Sequence, residues 1–116
     1  MALRDFEFVP EPDGNSDAMF EAARDAAGMM SILSHESRLL ILRIVSDKER
    51  SVTEIERILD RPQYHVSTQL AVLRRHGLVG TRRNGKLVLY RIKDKRARVL
   101  VDKIFEVYCS LQTPRA

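Results

Sequence analysis

The 116-residue sequence contains a single cysteine, Cys109, and no tryptophan. One thiol excludes an internal disulfide framework and any multi-cysteine metal site within one chain, and it agrees with a reducing compartment. No stretch of the sequence approaches the roughly 20 consecutive apolar residues of a membrane-spanning helix. The first 15 residues have no apolar core, so we expect neither a signal peptide nor a membrane anchor there. These absences predict a cytoplasmic protein.

Residues 1–15 carry two prolines, one glycine and four acidic residues against one arginine. This composition predicts a disordered or loosely attached acidic arm. The remaining length leaves room for one domain, since domains commonly contain about 100–150 residues. We therefore expect a single domain over residues 16–113.

The charges are distributed unevenly along the chain. Residues 1–60 hold 7 Lys/Arg against 13 Asp/Glu, a net charge of −6, whereas residues 61–116 hold 13 against 3, a net charge of +10. Such asymmetry indicates that the second half faces a polyanion, and nucleic acid is the commonest polyanion in the cytoplasm. The alternative is an ordinary solvated basic surface.

Two helices are predicted in the first half of the chain. Apolar residues recur three and four positions apart from Ser16, a predicted N-cap, to about Ser34, which is typical of an amphipathic helix. The segment Leu39 to Val45 is apolar except for Arg43. A helix with this composition must be covered on nearly all sides, so we expect it in the core.

The next two helices form a predicted helix-turn-helix. Ser51 and Glu54 have the spacing of a capping box and predict a short helix over about Val52 to Leu59. Another helix begins near Pro62 or Gln63 and ends at Gly77, a predicted left-handed cap. Its buried stripe, at i, i+4 and i+7, is Val66, Leu70 and Leu73. Two short helices joined by a tight turn make this motif.

A hairpin and a last helix complete the predicted fold. Two short runs, Leu78 to Arg83 and Lys86 to Ile92, are joined by Asn84-Gly85, a pair that favours a type I′ hairpin turn. The last helix covers about Asp94 to Leu111. The predicted fold class is mainly α with a small β-hairpin, a winged helix-turn-helix of about five helices plus a two-stranded wing.

The helix from Gln63 presents a polar face opposite its buried stripe. We interpret this face as a surface that reads a DNA groove, with hydrogen-bonding side chains first and two arginines suited to phosphates last. Its residues are Gln63, Tyr64, Ser67, Thr68, Ala71, Arg74 and Arg75. We also count His65 and Gln69, on the flank of this face, among the expected DNA contacts. The predicted wing contacts are Arg82, Arg83, Asn84 and Lys86, which we expect to reach phosphates or the minor groove.

Three segments resemble the ArsR/SmtB family of winged-helix repressors. They are Leu33-Ser34-His35-Glu36-Ser37-Arg38-Leu39-Leu40-Ile41-Leu42, Val66-Ser67-Thr68-Gln69-Leu70-Ala71-Val72-Leu73 and Gly77-Leu78-Val79. The resemblance covers about residues 18–111. It implies a homodimer joined by the first and last helices, imperfect inverted-repeat DNA operators, and repression relieved by an inducer. The predicted interface residues are Met19, Phe20, Leu100, Val101, Ile104, Phe105, Tyr108 and Leu111.

The sequence departs from the family at the metal sites. Where metal sensors of the family place a Cys-x-Cys pair, Ser51 and Thr53 stand here. Of the last-helix zinc ligands only Asp94 remains; the other matching positions hold Arg96, Val107 and Ser110. One carboxylate cannot make a four-ligand site. We therefore expect no metal, no cofactor and an inducer of another kind.

Cys109 leaves a thiol sensor open as an alternative. It resembles the last-helix cysteine of the family's dithiol and persulfide sensors, but Arg43 occupies the position of their second cysteine. A protein-interaction module that kept the fold without DNA binding is another alternative. An enzyme is disfavoured, with no catalytic residue assigned, because His35, His65 and His76 fall on different elements and no phosphate loop is present.

Overall fold

The computed structural model describes residues 16–112, and the side chains of residues 17–110. The predicted acidic arm, the side chain of the predicted N-cap Ser16 and the side chain of Leu111 lie outside these ranges. The elements, in chain order, are α1 (Ser16–Leu33), α2 (Glu36–Ile44), β1 (Arg50–Ser51), α3 (Val52–Leu59), α4 (Gln63–Arg75), β2 (Val79–Asn84), β3 (Leu87–Ile92) and α5 (Lys95–Gln112). Among residues 16–112, no helix is both long enough and apolar enough to cross a membrane.

The described residues fall into two units, divided between Ile32 and Leu33. The first contains α1 as far as Ile32, and its Phe20 and Met30 are exposed. The second holds all the other helices and the sheet. The expected single domain over residues 16–113 stays a prediction.

The core of the second unit is built around α2, which packs against α3, α4 and α5. This explains why the segment from Leu39 to Val45 is so apolar. The most buried side chains include Ile41 and Leu42 from α2, Ile55 from α3, and Val66, Leu70 and Leu73 from α4. Full burial of each such side chain stabilises the fold by about 1.5–3 kcal/mol.

The predicted capping box at the start of α3 is confirmed. Ser51 Oγ accepts a hydrogen bond from the Glu54 backbone N–H at 3.2 Å, and Glu54 Oε1 accepts one from the Ser51 backbone N–H at 3.0 Å. The bond from the Ser51 backbone is the main cause that holds the pKa of Glu54 below its ordinary value. Helix α3 ends at Leu59, and its C-cap residue, Asp60, has a left-handed φ of 57°.

The predicted left-handed cap after α4 is also confirmed. Gly77 has a φ of 75°. Its N–H donates to the carbonyl of Arg74 at 2.9 Å, and the N–H of Leu78 donates to that of Leu73 at 2.9 Å. These two bonds form a Schellman motif, which ends the helix and sends the chain into β2.

The wing belongs to a three-stranded antiparallel sheet with the order β1-β3-β2. The sequence did not predict β1, which pairs Arg50 with Tyr90. The predicted type I′ turn at Asn84-Gly85 is wrong: Asn84 pairs with Leu87, so the loop is Gly85-Lys86. Gly85 has a φ of 66°, and Lys86 is not among the residues with positive φ. This sign pattern is that of a type II′ turn, which needs glycine only at its first loop position.

Candidate nucleic-acid interface

Helix α4 carries an uninterrupted exposed face opposite its buried stripe. The seven residues expected there, Gln63, Tyr64, Ser67, Thr68, Ala71, Arg74 and Arg75, are all exposed. Tyr64 is the most prominent apolar member, with 75% of its surface exposed. Helix α3 packs against α4, so the two form the expected helix-turn-helix. Their contact with DNA stays a prediction.

The hydroxyl of Thr68 is used within the helix. Its Oγ1 donates to the carbonyl of Tyr64, four residues earlier, at 2.7 Å. The hydroxyl hydrogen is therefore not available to a base. What remains for recognition is the oxygen as an acceptor and the methyl group, which suits a thymine methyl in the major groove.

His65 and Gln69 do not belong to the exposed face. Gln69 is only 8% exposed, and its Oε1 accepts a hydrogen bond from Arg38 Nε at 2.9 Å. His65 is half-buried, with its Nε2 2.8 Å from Ser37 Oγ. The expectation that Gln69 contacts DNA is corrected because its side chain is buried against α2, whereas contact of His65 with DNA stays a prediction. Each directly precedes a buried residue of the stripe, Val66 or Leu70. This position in the sequence is the feature that could have indicated their burial.

The wing presents Arg82, Arg83, Asn84 and Lys86, all exposed. Arg82, however, pairs with Glu49, a residue that the sequence did not single out: its Nη2 lies 2.6 Å from Glu49 Oε1. The hydrogen bond from Arg82 is the main cause that lowers the pKa of Glu49, and the same bond raises the pKa of Arg82. Glu49 therefore neutralises one of the predicted wing cations.

Residues 35–81 match the family described as bacterial regulatory protein, arsR family. The chain is 34% identical over 99 residues to the biofilm growth-associated repressor of Xylella fastidiosa, which covers 85% of this chain and 87% of that relative. The protein belongs to the ArsR family. It is also 32% identical over 95 residues to the transcriptional activator HlyU of Vibrio cholerae, over 82% of this chain and 88% of that relative.

The winged helix-turn-helix fold of this ArsR-family protein is confirmed by a solved relative. The crystal structure of the transcriptional repressor BigR from Xylella fastidiosa matches with a TM-score of 0.76 and 35% identity. The match covers 86% of this chain and 98% of that chain. The resemblance drawn from the three sequence segments is confirmed with it.

The predicted dimer residues of the ArsR-family protein differ in exposure. Tyr108 is 61% exposed, whereas Val101 is fully buried. Val101 is therefore wrong as an interface residue, because it already packs in the core of its own chain. Leu100, Ile104, Phe105 and Met19 are half-buried. Val99, an α5 residue that the sequence analysis did not single out, is apolar and 68% exposed.

A cavity of about 480 Å³ lies between the C-terminal part of α2 and α5. Arg43 and Cys109 both line it, together with Ser46, Asp47, Arg98, Asp102, Phe105 and Glu106. Ser46 Oγ accepts from Arg43 Nη1 at 3.0 Å and donates to the Arg43 carbonyl at 2.9 Å, and Asp102 Oδ1 lies farther from it, at 3.4 Å. Within residues 16–112, no group of three or more His, Cys, Asp or Glu side chains is placed to hold a metal ion.

Proposed function

We propose that the protein is a cytoplasmic transcriptional repressor that binds a specific duplex DNA site as a homodimer and is not an enzyme. Helix α4 lies in the major groove and the wing lies beside the adjacent backbone. The observation that carries the proposal is the continuous exposed polar face of α4, presented by a helix-turn-helix in a winged fold. A recognition helix of this kind contacts bases with its N-terminal residues.

The side chains of α4 have distinct proposed roles. Gln63, in the first turn, has the donor and acceptor geometry for a bidentate contact with adenine. Ser67 and Thr68 meet base edges or a thymine methyl, and Tyr64 contacts a phosphate or sugar. Arg74 and Arg75, in the last turn, bind phosphates and position the helix without reading sequence.

The basic wing supplies further phosphate contacts. Arg83 and Lys86 are exposed at its tip, and Arg82 is the weaker contact because Glu49 neutralises it. Asn84 lies beside them at the end of β2. A cation of the wing near the minor groove is attracted by the negative potential there.

Exposed apolar side chains on α1 and α5 support the proposed dimer. Phe20 and Met30 on α1, and Val99 and Tyr108 on α5, are between 47% and 68% exposed. Large apolar groups that solvent would otherwise surround often mark an interface. A two-fold dimer reads two half-sites about one helical turn apart, so the proposed operator is an imperfect inverted repeat. An inducer of unidentified chemistry relieves repression.

Titration of DNA tests the proposal. The wild-type protein selects duplexes from a random-sequence library, and its affinity is then compared between a selected and a random duplex at several salt concentrations. We expect log K to fall linearly with log salt, and the selected duplex to bind at least about 10³ times more tightly. Equal, salt-independent affinities would instead indicate a protein-interaction module. Transcription in vitro from a promoter with the selected site is expected to fall.

A further inference from the structure

Two side-chain hydrogen bonds join the first turn of α2 to α4. Ser37 Oγ lies 2.8 Å from His65 Nε2, and Arg38 Nε donates to Gln69 Oε1 at 2.9 Å. Ser37 and Arg38 are consecutive, whereas His65 and Gln69 lie four residues apart, about one turn of helix. Because the two hydrogen bonds hold α4 at points one turn apart, they restrain both the rotation of α4 about its axis and its sliding along α2.

These two hydrogen bonds fix the orientation of α4, which the apolar contacts of its buried stripe do not. Hydrophobic contacts are non-directional, so packing alone tolerates small rotations of a helix. Hydrogen bonds weaken steeply when their geometry is lost. Ser37 and Gln69 are each only 8% exposed, so a shift of α4 would leave buried polar groups without their partners. The bond from Arg38 is also charge-assisted, which makes it the stronger anchor.

His65 and Gln69, the two hydrogen-bonded residues of α4, lie directly beside its exposed face. Tyr64 precedes His65, and Thr68 precedes Gln69. A rotation of α4 that displaces His65 and Gln69 therefore displaces Tyr64 and Thr68 as well. A bidentate contact such as that proposed for Gln63 requires both of its hydrogen bonds at once and tolerates little misplacement. A misplaced α4 therefore weakens the contacts with bases more than it weakens the attraction to the phosphates.

We infer that Ser37 and Arg38 are positioning residues for DNA recognition, which set the orientation of α4 through His65 and Gln69 without contacting DNA. The inference rests on the proposed function, because it assigns α4 to base reading. It predicts that loss of the Arg38–Gln69 bond lowers discrimination between DNA sequences. General affinity for DNA, which depends on the phosphate contacts, is retained.

The test compares Gln69→Met, Arg38→Met and the double variant with wild type on the library-selected duplex and on a random duplex. Each single variant is expected to lose about tenfold in affinity for the selected duplex, with no more than about twofold change on the random duplex. The double variant is expected to lose no more than about twofold further affinity for the selected duplex, because each single variant already removes the same Arg38–Gln69 hydrogen bond. The salt slope stays at its wild-type value.

Two controls separate positioning from loss of stability. Gln69→Glu retains an acceptor oxygen for Arg38 and is expected to keep near wild-type discrimination. Ile41→Val removes one methylene from the buried face of α2 and leaves both hydrogen bonds intact. It is expected to lower the melting temperature without changing the ratio of the two affinities. Circular dichroism melts verify that every variant folds at the titration temperature.

The competing explanation is that Arg38 contacts a phosphate directly. In that case Arg38→Met weakens both duplexes equally and lowers the salt slope by about one, and this result would overturn the inference. Unchanged discrimination in Gln69→Met would also overturn it. Failure of the proposed function has a different signature, since the wild-type protein itself would then bind selected and random duplexes equally.

Discussion

Arg82 of the wing and Glu49, just before β1, form a forked ion pair. Arg82 Nε lies 3.1 Å from both carboxylate oxygens of Glu49, and Nη2 lies 2.6 Å from Oε1. The pair lowers the pKa of Glu49 and raises that of Arg82, so it favours the ionised form of both groups. Exposed pairs contribute little to stability. The larger consequence is electrostatic, since Glu49 places a negative charge in the proposed DNA-binding wing.

Removal of this carboxylate is expected to strengthen general DNA binding. Glu49→Gln frees Arg82 for a phosphate, so the slope of log K against log salt on a random duplex steepens by about one. Arg83→Ala lowers the slope by about one, and Arg82→Ala lowers it less. Fluorescence anisotropy titrations at four salt concentrations measure these slopes.

A matched control is Glu106→Gln, which removes the same charge from another exposed pair, with Lys103 on α5 at 3.0 Å. Its slope is expected to equal that of wild type. If Arg82→Ala lowered the slope as much as Arg83→Ala, Arg82 would contact phosphate despite Glu49, and the weaker role assigned to it would be wrong.

Gln63 is expected to carry base recognition. Gln63→Ala loses a bidentate contact, so binding to the selected duplex weakens by about 1–3 kcal/mol and preference relaxes at one base pair, while affinity for a random duplex barely changes. Arg75→Ala serves as the comparison, since loss of a phosphate contact weakens both duplexes alike. An equal loss on both duplexes in Gln63→Ala would make Gln63 a positioning contact.

The start and end of the helix-turn-helix were predictable because their causes are local. Ser51 and Glu54 satisfy each other within one turn, and Gly77 is the residue that a left-handed cap prefers. The exposed face of α4 followed from the stripe that begins at Val66, because helical geometry fixes which positions lie opposite. These features require no knowledge of the rest of the chain.

The errors concern residues whose surroundings come from distant parts of the sequence. Gln69 borders the stripe, and its burial depends on Arg38, which lies 31 residues away. The strand β1 has two residues and exists only through its pairing with β3. Apolar periodicity also does not distinguish the chain's own core from a partner's surface, which is why Val101 was assigned to the interface.

The capping box predicts a pH-dependent contribution to stability. The pKa of Glu54 is lowered in the folded state, whereas the pKa of an unfolded glutamate is about 4.3. The carboxylate therefore stabilises the fold fully above that unfolded value, and the contribution is lost as pH falls through the lowered folded value. Glu54→Gln removes the charge, so its melting temperature is expected to lie below that of wild type at pH 7 and to converge with it in acid.

Ser51→Ala is the control for this prediction. It removes the neutral half of the capping box and is expected to cost about 0.5–2 kcal/mol at neutral pH. Thermal melts of the three proteins between neutral and acidic pH measure both effects. A gap between wild type and Glu54→Gln that stays constant into acid would show that the charge of Glu54 is not the stabilising feature.

Cys109 is exposed on α5 and lines the same cavity as Arg43 of α2. The cavity is also lined by the carboxyl groups of Asp47, Asp102 and Glu106 and by the guanidinium group of Arg98. The chain has no second cysteine, so no disulfide can form within one protomer. A thiol switch would need a bridge between two protomers or a bond to a small thiol.

We therefore expect Cys109→Ser to leave affinity for the selected duplex within about threefold, or about 0.7 kcal/mol, because α5 does not carry the proposed DNA-reading face. Peroxide or polysulfide is expected to change wild-type affinity equally little, since oxidation cannot produce an intrachain bridge that would rearrange α2 against α5. DNA titrations of both proteins, with and without each oxidant, measure this, and non-reducing gels detect any bridge between protomers. A large loss of affinity in oxidised wild type, absent from Cys109→Ser, would make Cys109 a sensor that acts without a second cysteine in its own chain.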